Sequence, residues 1–537
     1  MNYKSKLLLV VLACQFMRVD VFAQPTEKWG DQGNETYFNP VLPGDYSDID
    51  AIRVGDDFYA ISSTMQFSPG MAVLHSKDLV NWQIIGHAVA DLTKINPSLN
   101  WDKMNSYGKG IWAGSIRYYR NKFWIYFGTP DDGFFMTTAT DPAGPWEPLH
   151  QVWKVSGWDD CCPFWDDDGQ PYFIATNFSK DPKSHQTYNI HIFRMTPDGK
   201  KLLPESDTII HRSEGSEANK LYKINGLYYH LFSEVKSEGR VIMMERSKNI
   251  YGPWEIKQLN HVDKKKDKEP NQGGLIELPG GKWYFFTHHG SGDWEGRAAS
   301  LLSVTWISGW PVIGIPGKDS IGTMAWSGTK PVQVSGSQAQ LYSNEDFSSA
   351  TLAPQFEWNY QPRADKWSLS DRNGFLRLYA FQPIRPADKR DILLRAGNTI
   401  TQRSLRTSVN TVTVKMDISS MADGEYAGLT HFSTTSSNCI GVKQYGNSRY
   451  LVCNFQDQDS PGIKIDSPVV WLRSSWDFDG KNIYSYSLDG LSYSNIGDSA
   501  LLTWGSYRGD RVGVFNFNTK SDSGFVDIDF FHYKYSR

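Results

Sequence analysis

This chain of 537 residues has few cysteines, few long apolar runs and no large excess of charge of one sign. Five cysteines are too few for the disulfide framework of a small secreted domain, and none has the spacing of a zinc site. A net charge of −4, with the acids dispersed, excludes a basic nucleic-acid face and gives no sign of a polycation-binding surface. Beyond the N-terminal region, no segment is apolar enough to cross a bilayer.

The N-terminus has the pattern of an export signal. Lys4 and Lys6 precede a short apolar run, and Val21-Phe22-Ala23 supplies small residues for cleavage. We predict that residues 1–23 are removed and that the protein is exported, to the periplasm or the extracellular space. The segment ending at Cys14 also resembles a lipoprotein box, but Leu12 and the short apolar run disfavour lipid anchoring there.

Four cysteines remain after that cleavage. Cys439 and Cys453 flank a predicted hairpin and could pair across it. Cys161 and Cys162 are adjacent, and a disulfide between neighbours would need a strained turn. We therefore favour free, buried thiols at Cys161 and Cys162.

Aromatic residues and glycine are abundant, whereas long helical periodicity is scarce, which indicates an all-β protein. One phrase recurs five times: a polar or glycine-containing turn followed by aromatic and β-branched residues. The first aromatics of the five copies lie 65, 49, 56 and 55 residues apart: Phe58, Phe123, Tyr172, Tyr228 and Trp283. This period suits a four-stranded unit repeated around an axis and predicts a five-bladed β-propeller. A meandering sandwich with similar hairpins is the alternative.

The length requires two or more domains. The aromatic repeats occupy residues 36–326, and residues 327–342 are rich in Ser, Gly and Gln, as expected of a linker. From there to residue 537 the strands alternate polar and apolar residues, as in Thr411-Val-Thr-Val-Lys415. We predict a two-sheet β-sandwich over residues 343–537.

Three acidic residues stand beside turns at predicted strand ends, one per blade: Asp48, Asp160 and Glu217. Each is followed by apolar strand sequence, so burial should favour the protonated form of its carboxyl group. Two carboxyl groups with separated pKa values are what glycosidic hydrolysis needs. The alternative is that Asp48 and Asp160 are ordinary turn residues. Their nearest rivals are Asp50, Asp159 and Glu214.

The segments that carry these acids resemble glycoside hydrolase family 43, of the β-xylosidase and α-L-arabinofuranosidase type. The likeness lies in Asn39-Pro-Val-Leu-Pro-Gly-Asp-Tyr-Ser-Asp48, Pro163-Phe-Trp-Asp-Asp-Asp-Gly169 and Glu217-Ala-Asn-Lys-Leu-Tyr-Lys223. It implies a five-bladed propeller that hydrolyses β-xylosides or α-L-arabinofuranosides with inversion. By the same likeness Asp48 would be the general base and Glu217 the general acid, with Asp160 raising the pKa of the acid and orienting it.

The sequence departs from the family pattern around the pocket. Ser47 and Ile49 replace two prolines, and Ala218-Asn-Lys220 replaces Gly-Pro-His. All three acids are retained, so the departures bear on the shape of the sugar pocket. Arg297 matches an arginine of the family that approaches the substrate, the alternative being a surface salt bridge. Trp112 could stack on a sugar face or be a buried blade residue, and Phe67 is a further candidate for binding substrate. The resemblance implies that His288 contacts water or a structural calcium ion, with no cofactor required for the reaction.

The last third of the chain has its own likeness, in Phe356-Glu-Trp-Asn-Tyr-Gln-Pro362 and Val512-Gly-Val-Phe-Asn-Phe-Asn-Thr519. These segments resemble the concanavalin-like sandwich appended to many β-xylosidases of family 43. We therefore predict an exported inverting glycosidase that removes terminal xylose or arabinofuranose from hemicellulose or pectin-derived glycans. A non-catalytic carbohydrate-binding propeller and a galactan-directed hydrolase of the same family are the alternatives. Oligomeric state does not follow from the sequence.

Overall fold

A computed structural model of the chain describes residues 28–178, 188–263, 270–289, 292–334, 339–384, 392–433, 436–455, 458–505 and 507–537. The predicted export signal and Cys14 lie outside the described residues. No helix in these ranges is long and apolar enough to span a bilayer. The protein is built of strands, with four short 3₁₀ helices at Leu92–Lys94, Pro97–Leu99, Ala364–Lys366 and Ile392–Arg395. The all-β prediction is confirmed.

Five four-stranded antiparallel sheets follow one another along the first part of the chain, each pairing its strands in chain order. Sheet 1 contains Asp50–Val54, Asp57–Ser62, Gly70–Ser76 and Trp82–Val89; sheet 2 contains Gly114–Tyr119, Lys122–Thr129, Gly133–Ala139 and His150–Trp153. Sheet 3 contains Trp158–Trp165, Pro171–Asn177, Tyr188–Met195 and Leu202–Ser213; sheet 4 contains Ser216–Ile224, Leu227–Lys236, Gly239–Ser247 and Glu255–Gln258. Sheet 5 contains Pro270–Leu278, Lys282–His289, Ala299–Ile307 and Trp310–Ile313.

The recurring phrase of the sequence is the hairpin between the first and second strands of each sheet. In sheet 4 its turn is Asn225-Gly226, and both residues have positive φ, 51° and 76°. An Asn-Gly turn adopts this geometry readily and matches the twist of the flanking strands. The aromatic residue that follows opens the second strand, where Tyr228 is buried. Local turn chemistry therefore accounts for the repeat.

The first strands of successive sheets adjoin one another. Four hydrogen bonds join them in turn: Ile116 N to Asp50 Oδ2, Ser115 Oγ to Cys161 O, Asn219 Nδ2 to Asp160 O and Leu275 N to Tyr222 Oη. Sheet 5 returns to sheet 1 at Gly274, where an added Cβ would lie 2.6 Å from the carbonyl oxygen of Ala51. The five first strands thus surround one central region.

Two larger antiparallel sheets form the rest of the protein. The nine-stranded sheet contains Phe67–Ser68, Glu357–Asn359, Thr399–Arg403, Glu425–Phe432, Ser437–Tyr445, Ser448–Phe455, Gln458–Asp459, Ile463–Ile465 and Arg511–Asn518. The eight-stranded sheet contains Trp367–Ser368, Leu376–Tyr379, Val409–Asp417, Val469–Asp477, Lys481–Ser487, Ser494–Asn495, Ala500–Leu501 and Phe525–Tyr535. Alternation is clear in Val409–Asp417, where Val412, Val414 and Met416 are buried and their neighbours are more exposed.

The two parts of the chain share a sheet. The strand Phe67–Ser68, which lies between the second and third strands of sheet 1, pairs with Glu357–Asn359 at the edge of the nine-stranded sheet. Near the predicted linker, Ser327–Thr329 joins Gly30–Asp31 and Thr36–Phe38 in a three-stranded sheet. A two-stranded pair, Ile315–Pro316 with Gly322–Thr323, precedes it. The predicted domain bounds stay a prediction.

All four cysteines of the described residues are free and buried. This agrees with the interpretation of Cys161 and Cys162 as thiols. The suggested pairing of Cys439 with Cys453 is wrong, because Cys439 lies opposite Asn454 and Cys453 lies opposite Ile440. The two cysteines are therefore one step apart in register, and their side chains point to opposite faces of the sheet.

Candidate active site

The three predicted acids converge at the beginning of the first strands. Asp48 precedes Asp50–Val54, Asp160 lies near the start of Trp158–Trp165, and Glu217 is the second residue of Ser216–Ile224. The negative charges of Glu217 and Asp48 both reach Asp160 strongly enough to raise its pKa. Acids from three distant segments therefore lie close together at one end of the central region. We call this end the mouth of the site.

The backbone at these positions is unusual. Asp48 and Asp160 have positive φ, 56° and 54°, and so does Ala218, next to Glu217, at 68°. Pairing is interrupted between Asp159 and Cys162, and again between Glu217 and Lys220, as in β-bulges. Bulges re-aim side chains, and left-handed backbone at residues other than glycine costs about 1–3 kcal/mol each, a strain that clusters at functional sites.

Asp48 accepts hydrogen bonds from two groups and has a histidine close by. The Ser63 hydroxyl donates a short hydrogen bond to Oδ2, and the Arg297 guanidinium lies 3.2 Å from Oδ1. His288 Nε2 lies 3.8 Å from the same Oδ1. Ser63 is itself fixed, because its backbone N–H donates to the Ser47 carbonyl at 3.1 Å. One oxygen of Asp48 is thus tied to the adjacent segment while the other faces a cation.

Asp160 is buried beside two other acids. Burial raises the pKa of Asp160 to about 7, and the charges of Glu217 and Asp48 act in the same direction. A hydrogen bond from the Ala218 backbone N–H and the ammonium group of Lys220 oppose the shift. Burial also raises the pKa of Asp159 well above its usual range, with Asp160 as the strongest neighbouring charge. Buried aspartates of the site therefore keep their protons up to about neutral pH.

Glu217 is the most accessible of the three acids, with a quarter of its side chain exposed. Arg240 Nη1 lies 3.0 Å from Glu217 Oε1 and also donates to Ser233 Oγ at 3.2 Å. The charge of Glu217 and burial both raise the pKa of Tyr188, burial being the larger effect. Sequence reasoning missed Arg240, because an arginine in a third strand carries no local signal that separates it from a surface residue.

The rival acids have other surroundings. Asp50 is buried and paired with Arg117 at 2.7 Å, and it accepts the Ile116 backbone N–H. Glu214 is exposed. Only Asp159 shares the cluster, and its first-strand position places it beside Asp160. The geometry therefore favours Asp48 over Asp50, and Glu217 over Glu214.

His288 is fully buried, and burial lowers its pKa to about 4, so the imidazole is neutral at pH 7. Its Nδ1 hydrogen-bonds the His289 carbonyl at 2.8 Å, which leaves Nε2 as an acceptor without a hydrogen-bond partner. Calcium prefers six to eight oxygen ligands. The described residues contain no group of three His, Cys, Asp or Glu side chains arranged to hold a metal ion. A structural calcium ion near His288 stays a prediction, and the proposed reaction does not require one.

The structure places the predicted substrate-binding residues in different surroundings. Arg297 lies at the site, between Asp48 and the ring of Tyr507, whose centroid is 5.1 Å away. Trp112 is half-buried, and its indole N–H donates to the Gly108 carbonyl at 2.9 Å. The prediction for Phe67 is corrected by the structure. Phe67 is fully buried, because its strand belongs to the nine-stranded sheet and its ring packs against Arg511, 4.0 Å from the centroid.

A residue of the sandwich reaches the site. Tyr507 has positive φ, 66°, and is 55% exposed above Arg297. Its neighbour Arg508 is fully buried and donates from Nε to Asp45 Oδ2 at 2.6 Å. Neither contact could be predicted from the sequence, since Tyr507 lies 290 residues after Glu217 and 459 residues after Asp48. The mouth of the site is therefore formed by both parts of the chain.

A large cavity of the described residues lies elsewhere. It has a volume of about 760 Å³ and lies at the opposite end of the first strands, beside Arg117, Trp165, Lys223 and Trp283. None of the three acids lines it. Volume alone would thus point away from the end where Asp48, Asp160 and Glu217 converge, whereas buried acids with raised pKa values are the mark of a site for proton transfer.

Comparison with known proteins agrees with this geometry. Residues 37–311 match the family described as glycosyl hydrolases family 43, and residues 344–534 match the β-xylosidase C-terminal concanavalin A-like domain. A β-xylosidase of Formosa agariphila is 32% identical over 95% of this chain and 92% of its own length. A non-reducing end α-L-arabinofuranosidase of Bacteroides ovatus is 31% identical over 64% of this chain and 65% of its own.

A solved structure gives the same result. The bifunctional GH43-CE protein of Bacteroides eggerthii superposes with a TM-score of 0.80 at 27% identity, covering 93% of this chain and 64% of that one. The family combines a β-propeller with a C-terminal β-sandwich, in the order found in this chain. The predicted resemblance is confirmed, and the alternative of a non-catalytic binding protein does not stand. The chain belongs to glycosyl hydrolase family 43 and is an O-glycosyl hydrolase.

Proposed function

We propose that the protein is an exported exo-acting enzyme that removes terminal xylose or arabinofuranose from plant glycans with inversion at the anomeric carbon. The names of its relatives support this choice of sugar. Export is supported by the sequence of residues 1–23. The five sheets around one central region support a closed propeller of five blades, with the acids at one mouth.

The observation that carries the proposal is that two acids from distant segments lie at the same end of the central region, each beside its own arginine, Arg297 for Asp48 and Arg240 for Glu217. Asp48 accepts hydrogen bonds from the Ser63 hydroxyl and the Arg297 guanidinium, which stabilise a carboxylate. Glu217 is partly exposed at the mouth and close to Asp160. An ionised base and an accessible acid on opposite sides of a bound sugar are the arrangement that inversion requires.

The reaction proceeds in one displacement. Asp48 takes a proton from a water molecule while the water oxygen bonds to the anomeric carbon from the face opposite the leaving group. The bond between that carbon and the glycosidic oxygen breaks, and Glu217 gives its proton to the departing oxygen. Exchange of protons with solvent then restores both carboxyl groups. Inverting enzymes place the two carboxyl groups roughly 6.5–9.5 Å apart, which leaves room for the water.

Other groups have supporting roles in this proposal. Arg297 holds Asp48 from the side of the mouth, and Asp160 orients Glu217 by accepting a hydrogen bond from the backbone N–H of its neighbour Ala218. Neutral His288 contributes an acceptor close to Asp48, where it can hold a water molecule. Tyr507 and Trp112 supply ring faces near the mouth for contact with the sugar.

The role of Glu217 is tested by the leaving group. Glu217→Ala should lose at least about 100-fold of kcat on xylobiose, since general acid catalysis contributes roughly 10²–10⁴-fold. On an aryl xyloside with an acidic phenol the loss should be much smaller, because that leaving group needs little protonation. Glu214→Ala is the matched control and should leave both rates near the wild-type values. Equal losses of Glu217→Ala on the two substrates would contradict the assignment.

A further inference from the structure

A cluster of buried ionic side chains lies where the sandwich meets the propeller, directly behind Asp48. Five side chains, all fully buried, make it up: Asp45, Glu357, Arg403, Arg508 and Arg511. Four of them come from the sandwich, and Asp45 comes from the segment that leads into Asp48. Asp45 is therefore the point at which the cluster touches the candidate active site.

Arg508 contacts both segments that hold Asp48. Its Nε and Nη2 donate to Asp45 Oδ2, and its Nη1 donates to the Ser63 carbonyl at 3.0 Å. Asp45 lies three residues before Asp48, and the Ser63 side chain donates to Asp48 itself. One planar guanidinium thus fixes the distance between the segment that carries Asp48 and the segment that hydrogen-bonds it.

Close packing leaves these segments little freedom. A Cβ added at Gly296, beside Arg297, would lie 2.5 Å from Asp45 Cβ. A Cβ added at Gly509, beside Arg508, would lie 2.4 Å from the carbonyl carbon of Glu295. The backbone of the Asp45 segment is held as well, because Arg403 Nε donates to the Asp45 carbonyl at 2.8 Å. A displaced Arg508 would therefore move the Asp45 segment and not only one side chain.

The ion pair persists over the pH range in which a glycosidase works. Burial alone would raise the pKa of Asp45, but Arg508, Arg511 and Arg403 together hold that pKa below its ordinary value. Asp45 is thus an anion at neutral pH and a permanent partner for Arg508. Its Oδ1 also accepts the Ser47 hydroxyl at 2.9 Å, which links the pair to the residue just before Asp48.

We infer that Arg508 is a positioning residue for hydrolysis, acting through Asp45 and Ser63 to aim Asp48 at the attacking water. The sandwich is then a part of the catalytic apparatus that sets the position of the base from behind. This inference rests on the proposed role of Asp48 as the base. It concerns a contact remote from the sugar, so it predicts an effect on the rate of the chemical step and little effect on substrate binding.

The first test compares two conservative variants of the same cluster. Arg508→Lys keeps the charge but cannot bridge Asp45 and Ser63 with one planar group. Arg511→Lys is the matched control, because Arg511 is equally buried but donates its hydrogen bond to Glu357 instead of to Asp45 or Ser63. We expect kcat to fall roughly 10–100-fold in Arg508→Lys with KM within about threefold, since small misplacements of reacting groups cost up to about 10²-fold. Arg511→Lys should lower Tm with kcat within about threefold.

A double-mutant cycle separates positioning from a general loss of structure. In the Asp48→Ala background there is no base to aim, so Arg508→Lys should cause no further loss of kcat on an aryl glycoside. If Arg508→Lys does not stay folded at the assay temperature, Asp45→Asn removes the same ion pair from the propeller side and replaces it in the cycle.

The outcomes are distinct. An unchanged kcat in folded Arg508→Lys, or a loss that multiplies with that of Asp48→Ala, would overturn the inference and leave the proposed function standing. Near wild-type activity in Asp48→Ala would instead show that the base assignment itself is wrong. A loss of kcat in Arg508→Lys that disappears in the Asp48→Ala background supports both.

Discussion

Two clusters of buried charge lie on either side of the segment from Asp45 to Asp48, and they behave in opposite ways. The mouth cluster consists of Asp159, Asp160 and Glu217 at the open end of the site. In this cluster the acids lie beside one another, and the pKa of Asp160 rises to about 7. The seam cluster is the group of Asp45, Glu357, Arg403, Arg508 and Arg511 between the sandwich and the propeller. Its two carboxyl groups are equally buried, but the arginines hold their pKa values below the ordinary range. Burial is shared, so the neighbours decide the protonation state.

The comparison separates chemistry from architecture. A buried carboxyl group whose strongest charged neighbours are acids keeps a proton that it can exchange, which suits a site for proton transfer. A buried carboxylate surrounded by guanidinium groups cannot exchange a proton near neutral pH, and it serves as a fixed anchor. Asp48 lies between the two clusters, with Arg297 on one side and the acids on the other.

The largest effect should come from Asp48. Asp48→Asn keeps the shape of the side chain but cannot accept a proton from water, so we expect kcat to fall about 10³-fold, within the range of roughly 10²–10⁴ for a general base. Stability should change little, because an amide can still accept the Ser63 hydroxyl. Steady-state kinetics with a nitrophenyl xyloside and calorimetry check both parts. A loss of Tm without a loss of kcat would place Asp48 with the seam cluster instead.

The seam cluster should show the reverse. Glu357→Gln leaves Arg403 and Arg511 without their carboxylate, and breaking one side of a buried ion pair costs about 3–5 kcal/mol of unfolding free energy. Denaturant titration followed by tryptophan fluorescence measures this cost. The remaining kcat of the folded fraction should stay close to the wild-type value. A stability change below about 1 kcal/mol would mean that the arginines find other partners.

The pH dependence of stability should have opposite signs in the two clusters. The folded pKa of Asp160, about 7, lies above its unfolded value, so the folded state binds more protons between about pH 4 and pH 7 and loses stability as pH rises through that window. Asp160→Asn should therefore gain stability relative to wild type as pH rises from 4 to 8, on the order of a few kcal/mol, while losing activity. Urea unfolding at several pH values measures the difference.

Asp45→Asn gives the matching comparison. Its folded pKa is depressed, so its contribution to stability is present above the unfolded pKa and is lost as pH falls through the folded value. The destabilisation by Asp45→Asn should therefore shrink at acid pH. The same slope for Asp160→Asn and Asp45→Asn would remove the distinction between the clusters.

The smallest effect should come from charges outside both clusters. Lys109 and Asp131 form an ion pair at 2.6 Å with more than half of each side chain exposed. Lys109→Ala should change the unfolding free energy by less than about 1 kcal/mol, because solvent and salt screen exposed pairs. Denaturant titration at two salt concentrations checks this baseline, and a larger effect would show that charge in itself, rather than burial, dominates.

Sequence alone predicted what depends on local chemistry. Three features could be predicted because each depends on residues close together in the chain. They are the turns with Asn and Gly, the aromatic strands that follow these turns, and the acids within their motifs. Phe67 was misplaced, since nothing local shows that a strand next to sheet 1 pairs with Glu357–Asn359. The cysteine pairing failed for a similar reason, because a shift of one residue in register reverses the face of a side chain.

The contacts that complete the site could not be predicted from the sequence. Arg240, Tyr507 and Arg508 reach it from a third strand and from the sandwich, and a single sequence carries no signal of such long-range approach. The positive φ of Asp48 and Asp160 could not be predicted from the sequence either, because strain of this kind is imposed by the surrounding packing. Sequence thus predicted which acids matter, whereas the structure shows what holds them.

The central claim, a single displacement between Asp48 and Glu217, is tested most directly by the anomeric form of the first product. Proton NMR of an aryl β-xyloside, recorded before mutarotation, resolves the two anomers of released xylose. The account predicts that α-xylose appears first and that β-xylose follows only by mutarotation. Initial formation of β-xylose would show retention and would contradict the proposed roles of both acids.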